Sequence, residues 1–393
     1  MMTRGFRFLI VLTLIIAADA RGQEAVLPPD VKAVWDMSRA WQQTTPTRQR
    51  ICINGLWQWQ PANDANQSAP PSDGWGYFKV PGCWPGITDY LQKDSQTVFV
   101  NPKWKNERLQ DVKAAWYQRE IEIPKERSNR GITLSAAYVD SLAIVFVDGK
   151  QAGTIRFPGG EVDLSALCQP GQKHVLSMLV KALPLKDVMT AYRDTANARQ
   201  VKGEVPRRGL CGDIYLISTL KSARISDVKL ETSVRKSELT IDAALDGLAA
   251  GHTYVLKAVI SQGQKVAEFS SGSFTTADVA DGHFRFTSRW KPDQLWDIDT
   301  PQNQYTAQVS LTDANASILD VSWPTQFGFR EFWIDGKDFY LNGSRIYLSA
   351  VPIDNAQIGG ASANYQAVHE TLERLKRIGI NLVYTHNYDC LPG

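Results

Sequence analysis

Residues whose side chains could bind a substrate lie close to the end of the chain, at positions 384–389, which read Tyr-Thr-His-Asn-Tyr-Asp. This run follows a short β-prone segment, residues 380–383. In a parallel β/α barrel the active site forms at the carboxyl ends of the strands, so a polar run in this position predicts substrate contacts. The candidate substrate-binding residues here are Tyr384, His386, Asn387 and Asp389. For His386 the alternative is a loop histidine with no ligand.

The segment that leads to this run has the pattern of a strand, a helix and a second strand. Residues 346–351 predict the first strand, and apolar residues at helical spacing predict a helix from Tyr365 to Ile378. Gly379 stands where a glycine commonly ends a helix, and residues 380–385 predict the second strand. This unit repeats in a (β/α)8 barrel, which needs roughly 250 residues. About fifty residues follow Gly343, so we expect the start of a barrel rather than a closed one.

Two tight turns are predicted immediately before this unit, within residues 327–351. The dipeptides Asp335-Gly336 and Asn342-Gly343 each lie between short β-prone runs. Such dipeptides are the strongest short-range signal for a β-hairpin. The segment therefore predicts three strands joined by two turns.

The region from Gln49 to Tyr215 predicts a β-sandwich with a jelly-roll topology. Trp57 and Trp59 share one face of a strand that extends over residues 51–59. Residues 142–147 are apolar at every position, as expected of a strand that is covered on both faces. Many short strands separated by Gly and Pro are typical of such a sandwich.

A second β-sandwich, similar to an immunoglobulin domain, is predicted between Ser222 and Pro324. Residues 305–311 alternate strictly between apolar and polar side chains, and residues 284–290 have the same period. A length of about 100 residues suits an immunoglobulin-like module. We expect this domain to be a spacer without a site of its own.

The order of these features resembles glycoside hydrolase family 2, which includes β-galactosidases, β-glucuronidases and β-mannosidases. In that family a Gly-Phe-Arg strand (residues 328–330) leaves a β-sandwich, and a Leu-Asn-Gly turn (residues 341–343) leads into the catalytic barrel. Six motifs similar to those of the family's sugar-binding domain also occur here in the same order. They are Asn54-Gly55-x-Trp57, Val-Pro-Gly-x-Trp (80–84), Trp116-Tyr117, Val-Asp-Gly-Lys (147–150), Gly159-Gly160 and Gly-x-x-x-Asp-x-Tyr-Leu (209–216).

The resemblance implies a division of the chain and an activity. The implied parts are a signal peptide (1–20), a jelly-roll sugar-binding domain (21–220), an immunoglobulin-like β-sandwich (221–325) and the start of a TIM-barrel catalytic domain (326–393). The implied activity is hydrolysis of β-linked glycosidic bonds in an oligo- or polysaccharide by a retaining mechanism, with one carboxylic acid and one carboxylate nucleophile. In the family both are glutamates on later barrel strands. We therefore assign no catalytic residue to this chain and expect it to be inactive alone.

The resemblance also bears on Asp213 and on the run after the second barrel strand. In some family members the aspartate that corresponds to Asp213 reaches the substrate, whereas the local pattern is equally compatible with turn stabilisation. Tyr384 replaces an arginine that is usual in the family, and Asn387 replaces a histidine. Residues 350–355 replace the usual Gly-x-x-x-His-Glu. These differences distinguish the chain from standard β-galactosidases and β-glucuronidases.

Other carboxylates and other functions compete with this interpretation. Glu370 and Glu373 share a helix face, but charges on such faces are usually solvated, so we expect no catalysis from them. The main alternative function is a secreted carbohydrate-binding protein whose sandwiches bind glycan without hydrolysis. A structural adhesion module is a third interpretation, which rests only on the two sandwiches.

The amino terminus predicts export. Arg4 and Arg7 precede an apolar run from Phe8 to Ala18, and Ala18-Asp19-Ala20 has the form that signal peptidase cleaves. The run is too short for a stable membrane anchor, so the protein is expected to be secreted or periplasmic. The formal net charge of +2 gives no reason to expect a nucleic acid as partner.

The cysteines indicate neither a metal nor a cofactor. They are scattered, without a Cys-x-x-Cys pair, at positions 52, 83, 168, 211 and 390. This spacing excludes a standard zinc knuckle or thioredoxin-type site. We expect most of them to be buried thiols rather than parts of a disulfide framework.

A long polar segment runs from Ala182 to Arg208. Structureless segments of this length are uncommon inside compact domains. The sequence therefore predicts either a lid over the active site or a solvated, charged loop.

Overall fold

The computed structural model describes residues 25–62, 67–86, 97–128, 130–191, 202–205, 207–221, 223–353 and 365–385. The predicted signal peptide lies outside these residues. Strands predominate in the described chain, which confirms the mostly β prediction. Within the described residues the helices are α1 (Leu185–Ala191), α2 (Tyr365–Arg377) and three 3-10 turns, Pro102–Trp104, Lys125–Arg127 and Thr276–Asp278. Neither α-helix of the described chain has the length and apolar character needed to cross a membrane.

Two antiparallel sheets form the first sandwich. The five-stranded sheet has the spatial order β1 (Gln42–Thr44), β2 (Arg48–Cys52), β14 (Ile214–Leu220), β7 (Arg130–Ala136) and β11 (Gly160–Asp163). The seven-stranded sheet has the order β10 (Lys150–Arg156), β9 (Leu142–Val147), β12 (Lys173–Lys181), β6 (Ala114–Glu122), β3 (Gly55–Pro61), β4 (Gly76–Val80) and β5 (Val98–Phe99). A short ladder joins β13 (Gly209–Leu210) to β8 (Val139–Asp140). The inner faces of the two large sheets share one buried core.

Aromatic side chains fill the centre of this core. Trp57 and Trp59 are completely buried, which confirms that they share an inward face. Trp59 makes edge-on contacts with Trp84 and Tyr117, with ring centroids 5.7 and 6.4 Å apart. Such contacts stabilise a core beyond the area that they bury. Strand β9 coincides with the predicted strand at residues 142–147 and is buried along almost its whole length.

The single strand predicted for residues 51–59 is wrong, because the segment forms two strands in two different sheets. β2 ends at Cys52 in the five-stranded sheet, and β3 begins at Gly55 in the seven-stranded sheet. Gly55 has a φ angle of +123°. Glycine tolerates this conformation much better than other residues do, so the chain changes sheet here.

The second sandwich also has two antiparallel sheets. The first contains β15 (Arg224–Ser233), β16 (Glu238–Asp246) and β19 (His283–Arg289). The other contains β18 (Gln264–Ser270), β17 (Tyr254–Gln262), β20 (Tyr305–Asp313) and β21 (Ile318–Val321), with β22 (Thr325–Phe327) also paired to β20. Ala307, Val309 and Leu311 are completely buried, which confirms the predicted alternation of β20.

A buried ion pair joins the two sandwiches. The Arg48 guanidinium donates hydrogen bonds to both Asp320 carboxylate oxygens and to the Ile225 carbonyl. The Thr47 hydroxyl donates to Asp320 Oδ1 at 2.7 Å, and the Ile225 N–H donates to Oδ2 at 2.8 Å. Burial acts to raise the pKa of Asp320, but the hydrogen bond and the charge of Arg48 outweigh it and lower the pKa overall. The carboxylate therefore stays ionised between the sandwiches.

The two predicted hairpins follow the second sandwich. They consist of β23 (Phe332–Asp335), β24 (Asp338–Leu341) and β25 (Ser344–Ile346). Asn342 and Gly343 form the second turn with φ angles of +52° and +95°, as a type I′ turn requires. The first turn lies at Gly336-Lys337, one residue later than predicted, because Asp335 pairs with Asp338.

One strand–helix–strand unit follows the hairpins. β26 (Ala350–Ile353) and β27 (Leu382–Thr385) are parallel, and α2 lies between them in sequence. The first strand was predicted at residues 346–351, but residues 347–349 separate β25 from β26. Gly379 has a φ angle of +84° and its N–H donates to the Lys376 carbonyl, as expected for the glycine that ends α2. That this unit is the start of a (β/α)8 barrel stays a prediction.

Part of the predicted lid or solvated loop lies outside the described residues. The described part includes α1, whose Leu185 N–H donates to the Gly203 carbonyl at 2.8 Å. Glu204 forms an ion pair with Lys113 at 2.9 Å. Arg208, at the end of the segment, is buried, so the segment is not solvated over its whole length.

Candidate functional site

Asp213 precedes β14, and hydrogen bonds fix its carboxylate at the surface of the first sandwich. Asn54 Nδ2 donates to Asp213 Oδ1 at 2.8 Å, and the Tyr215 hydroxyl donates to Oδ2 at 3.4 Å. Asn54 Oδ1 accepts the Ile214 N–H at 3.0 Å. These bonds support turn stabilisation. The carboxylate is partly exposed and can accept further hydrogen bonds, so a substrate contact stays a prediction.

Arg119 holds the turn that carries Asn54. It is buried on β6 and donates from Nη1 to the carbonyls of Ile53 and Asn54, the latter at 2.7 Å. Nη2 donates to the Leu56 carbonyl at 2.6 Å. The guanidinium also lies over the Trp57 ring, 5.2 Å from its centroid. Burial lowers the pKa of Arg119 to about 10, so the group is still charged at neutral pH and the turn is held from inside the sandwich.

Tyr215 and Cys52 lie opposite one another on β14 and β2, next to Asp213. Burial, followed by the charge of Asp213, raises the pKa of the Tyr215 phenol. Burial also raises the pKa of the Cys52 thiol, against a hydrogen bond from the Asn54 N–H. Both groups therefore stay protonated at neutral pH. The Cys52 thiol is unsuited to act as a nucleophile.

The sequence interpretation missed both arginines beside this site, Arg119 and Arg50. Arg119 occupies an inward-facing position of β6 between Tyr117 and Ile121. A charged residue at such a position could have indicated a buried hydrogen-bonding role. Arg50 lies among three aromatic rings whose residues are far apart in sequence, and no local pattern could have joined them.

The second predicted segment is only partly described. Tyr384 lies on β27, opposite Pro352 of β26, and its side chain is 46% exposed. His386, Asn387 and Asp389 lie outside the described residues. Within the described chain, the hydrogen bonds of the Asp213 carboxylate go to residues of the first sandwich. Nothing in the described geometry brings Asp213 and Tyr384 together.

The helix carboxylates Glu370 and Glu373 lie on the surface of α2. Glu370 is 3.5 Å from Arg374, and Glu373 is 3.4 Å from Arg377. Pairs with this spacing are typical of solvated helix faces. That they take no part in catalysis stays a prediction.

The titratable residue Asp140 lies inside the first sandwich. It is on β8 opposite Gly209 of β13 and is almost completely buried. Burial raises the pKa of its carboxyl group to about 8, although the charge of Arg208 acts in the opposite direction. Within the described chain, Asp140 Oδ1 and Arg208 Nε have no hydrogen-bond partner. Shifted carboxyl groups are common at functional sites, but burial keeps this one from a substrate, so we assign it to stability.

The described residues contain no group of three or more His, Cys, Asp or Glu side chains placed to hold a metal ion. The site around Asp213 offers a carboxylate, a phenol and an arginine. These groups bind polar ligands through hydrogen bonds and charge.

No protein-family model and no curated protein sequence matches the chain. Its fold is similar to solved structures of β-glucuronidase from Ruminococcus gnavus. The structure in complex with uronic isofagomine has a TM-score of 0.59 and 15% sequence identity, and the match covers 87% of this chain and 55% of that chain. The complex with D-glucuronic acid gives a TM-score of 0.58 and 16% identity, with 87% of this chain and 57% of that chain covered.

Identities this low show similarity of fold alone. The chain spans little more than half the length of these β-glucuronidases. Membership of glycoside hydrolase family 2 stays a prediction, and the chain has the fold of the corresponding part of the Ruminococcus gnavus β-glucuronidase.

Proposed function

We propose that the chain is the amino-terminal part of a secreted glycoside hydrolase of family 2, which cleaves β-linked glycosidic bonds by a retaining mechanism. One observation carries this proposal. Two β-sandwiches, two hairpins and a strand–helix–strand unit follow one another in this chain, and a β-glucuronidase has a similar fold over 87% of it. The six motifs named above support the same family.

A retaining mechanism needs two carboxyl groups about 5 Å apart, one as acid and one as nucleophile. We propose that two glutamates on later barrel strands supply them. The described residues would contribute binding. The Asp213 carboxylate, held by Asn54, would accept a hydrogen bond from a sugar hydroxyl, and Tyr384 would lie near the barrel mouth at the end of β27.

A panel of aryl β-glycosides tests this proposal. The 393-residue chain and a protein extended through the natural reading frame are assayed side by side. We expect turnover by the extended protein and none by the shorter chain, because binding alone cannot supply a barrier reduction on the order of 10 kcal/mol. Proton NMR of the first product formed should show the same anomeric configuration as the substrate.

Two outcomes would contradict the proposal. Turnover by the shorter chain that is lost in Asp213→Asn would place the chemistry inside the described residues. An extended protein that lacks two barrel glutamates and is inactive would favour the carbohydrate-binding protein predicted as the alternative.

Secretion is part of the proposal and has its own test. We expect cleavage after Ala20, because a basic start, an apolar run and a small-x-small site coincide there. Mass spectrometry of the protein from its natural host should detect a new amino terminus at Arg21. A chain that retains Met1 would contradict export by this route.

A further inference from the structure

A cluster of aromatic rings surrounds one arginine on the outer face of the first sandwich. The Arg50 guanidinium carbon lies 5.3 Å from the Trp41 ring centroid, 5.4 Å from that of Tyr215 and 5.1 Å from that of Trp323. These four residues are called the Arg50 surface below. Contacts at this distance between a guanidinium and aromatic rings are attractive.

The fold brings the Arg50 surface together from four places in the chain. Arg50 is on β2, opposite Gln43 of β1, and Gln43 Oε1 accepts a hydrogen bond from Arg50 Nε at 2.8 Å. Tyr215 is on the neighbouring strand β14, and Trp323 comes from the second sandwich, between β21 and β22. The guanidinium is therefore held in one orientation by rings on several sides and by a hydrogen bond at Nε.

Arg50 has no carboxylate partner among the described residues. Arg48, Arg224, Arg235 and Arg285 each form an ion pair with an aspartate or glutamate. Arg50 is partly buried, and its terminal nitrogens are not among the buried polar atoms that lack a hydrogen-bond partner in the described chain. A planar guanidinium with two such nitrogens matches a carboxylate, which it can bind through two parallel hydrogen bonds.

Neighbouring side chains provide the two kinds of contact that a sugar makes, with an apolar ring surface and with a hydrogen-bond acceptor. The Trp41 side chain is 52% exposed and offers an apolar ring surface. The Asp213 carboxylate lies beyond the Tyr215 hydroxyl, within 3.4 Å of it, and can accept hydrogen bonds from ligand hydroxyls. A simple anion would use only the arginine, and a neutral sugar would leave it unpaired.

We propose that the Arg50 surface binds a sugar acid, with the sugar carboxylate on Arg50, the sugar ring against Trp41 and a sugar hydroxyl near Asp213. In this proposal the first sandwich binds acidic glycans at the Arg50 surface. The proposal does not depend on hydrolysis, so its failure would leave the glycosidase assay unaffected.

Calorimetric titration of the 393-residue chain tests it with three probes: methyl glucuronoside, the uncharged methyl ester of that glucuronoside, and acetate. We expect the glucuronoside to bind, and the ester and acetate to bind at least about tenfold more weakly, since each lacks one part of the recognised group. Equal binding of the ester would overturn the role of Arg50. Equal binding of acetate would overturn the role of the sugar, and absence of glucuronoside binding would overturn the site.

Three variants and a control separate binding from folding. Arg50→Lys keeps the charge but loses the planar fork, and Trp41→Ala removes only the exposed ring. We expect each to raise the dissociation constant of the glucuronoside about tenfold or more, and Arg50→Met to abolish binding. Arg285→Met removes an exposed arginine of the second sandwich and should leave binding unchanged. Thermal unfolding of every variant identifies any that fails to fold, and unchanged binding in folded Arg50→Lys and Trp41→Ala would overturn the proposal.

Discussion

The sandwiches and the strand–helix–strand unit have equally regular apolar patterns, but only the sandwiches bury theirs. Ala307 and Leu311 of β20 are completely buried, whereas Leu372 of α2 is 43% exposed and Ile378 beyond it is 72% exposed. In a sandwich two sheets cover each other's inner faces. Among the described residues, the unit around α2 has a two-stranded sheet. Periodicity therefore identifies an apolar face, whereas the burial of that face depends on other strands or helices that pack against it.

The same substitution placed in both regions gives the largest expected effect. Leu134→Ala in the first sandwich and Leu256→Ala in the second remove completely buried side chains and should each lower the free energy of unfolding by about 2 to 5 kcal/mol. Leu372→Ala should change it by no more than about 0.5 kcal/mol, as for an ordinary surface position. Urea unfolding measures all three. An equally large loss in Leu372→Ala would mean that α2 is covered in solution.

A loss of similar size is expected where the two sandwiches meet. Asp320→Asn removes the charge that pairs with the buried Arg48 and should cost roughly 3 to 5 kcal/mol, because the Arg48 charge is left buried without a counterion. Calorimetry should then resolve separate unfolding transitions for the two sandwiches. Asp246→Asn is the control, because the Asp246 pair with Arg224 is exposed and should contribute at most about 1 kcal/mol. A single unchanged transition in Asp320→Asn would show that other contacts couple the sandwiches.

A pH dependence of the stability is expected from Asp140. Its pKa is raised from an ordinary value of 3.8 to about 8, so the folded protein binds a proton that the unfolded chain releases. The contribution of Asp140 is complete below pH 4 and is lost as the pH rises towards 8. We expect the stability difference between pH 5 and pH 8, measured by urea unfolding, to be smaller in Asp140→Asn. If the free energies of unfolding of the unmodified protein and of Asp140→Asn changed with pH in the same way, Asp140 would be ionised in the folded protein, with Arg208 as its counterion.

Much of the architecture could be predicted because it follows from local patterns. The alternation of β20, the apolar run of β9 and the Asn342-Gly343 turn each depend on residues close in sequence, and all three are confirmed. The boundary between β2 and β3 was missed, because continuous alternation through Gly55 concealed a change of sheet. The strand pairing and the backbone angle of that glycine reveal it.

The candidate site was less predictable, because its contacts join distant parts of the chain. Asp213 was identified from a motif, but its partner Asn54 is 159 positions away. Arg50 received no role in the sequence analysis, because two of its ring neighbours, Tyr215 and Trp323, are far from it in sequence. Side-chain chemistry identifies which residues can take part in such a cluster, whereas the strand register determines which of them meet.

The pairing of Arg48 with Asp320 has a consequence for how these domains can be exchanged during evolution. Arg48 belongs to the first sandwich and Asp320 to the second, and each is enclosed where the two meet. A recombination event that joined either sandwich to an unrelated neighbour would leave one charge buried without its counterion, at a cost of several kcal/mol. We therefore expect recombination to keep the two sandwiches together. Replacement of the chain after Phe327 would not disturb the Arg48–Asp320 pair.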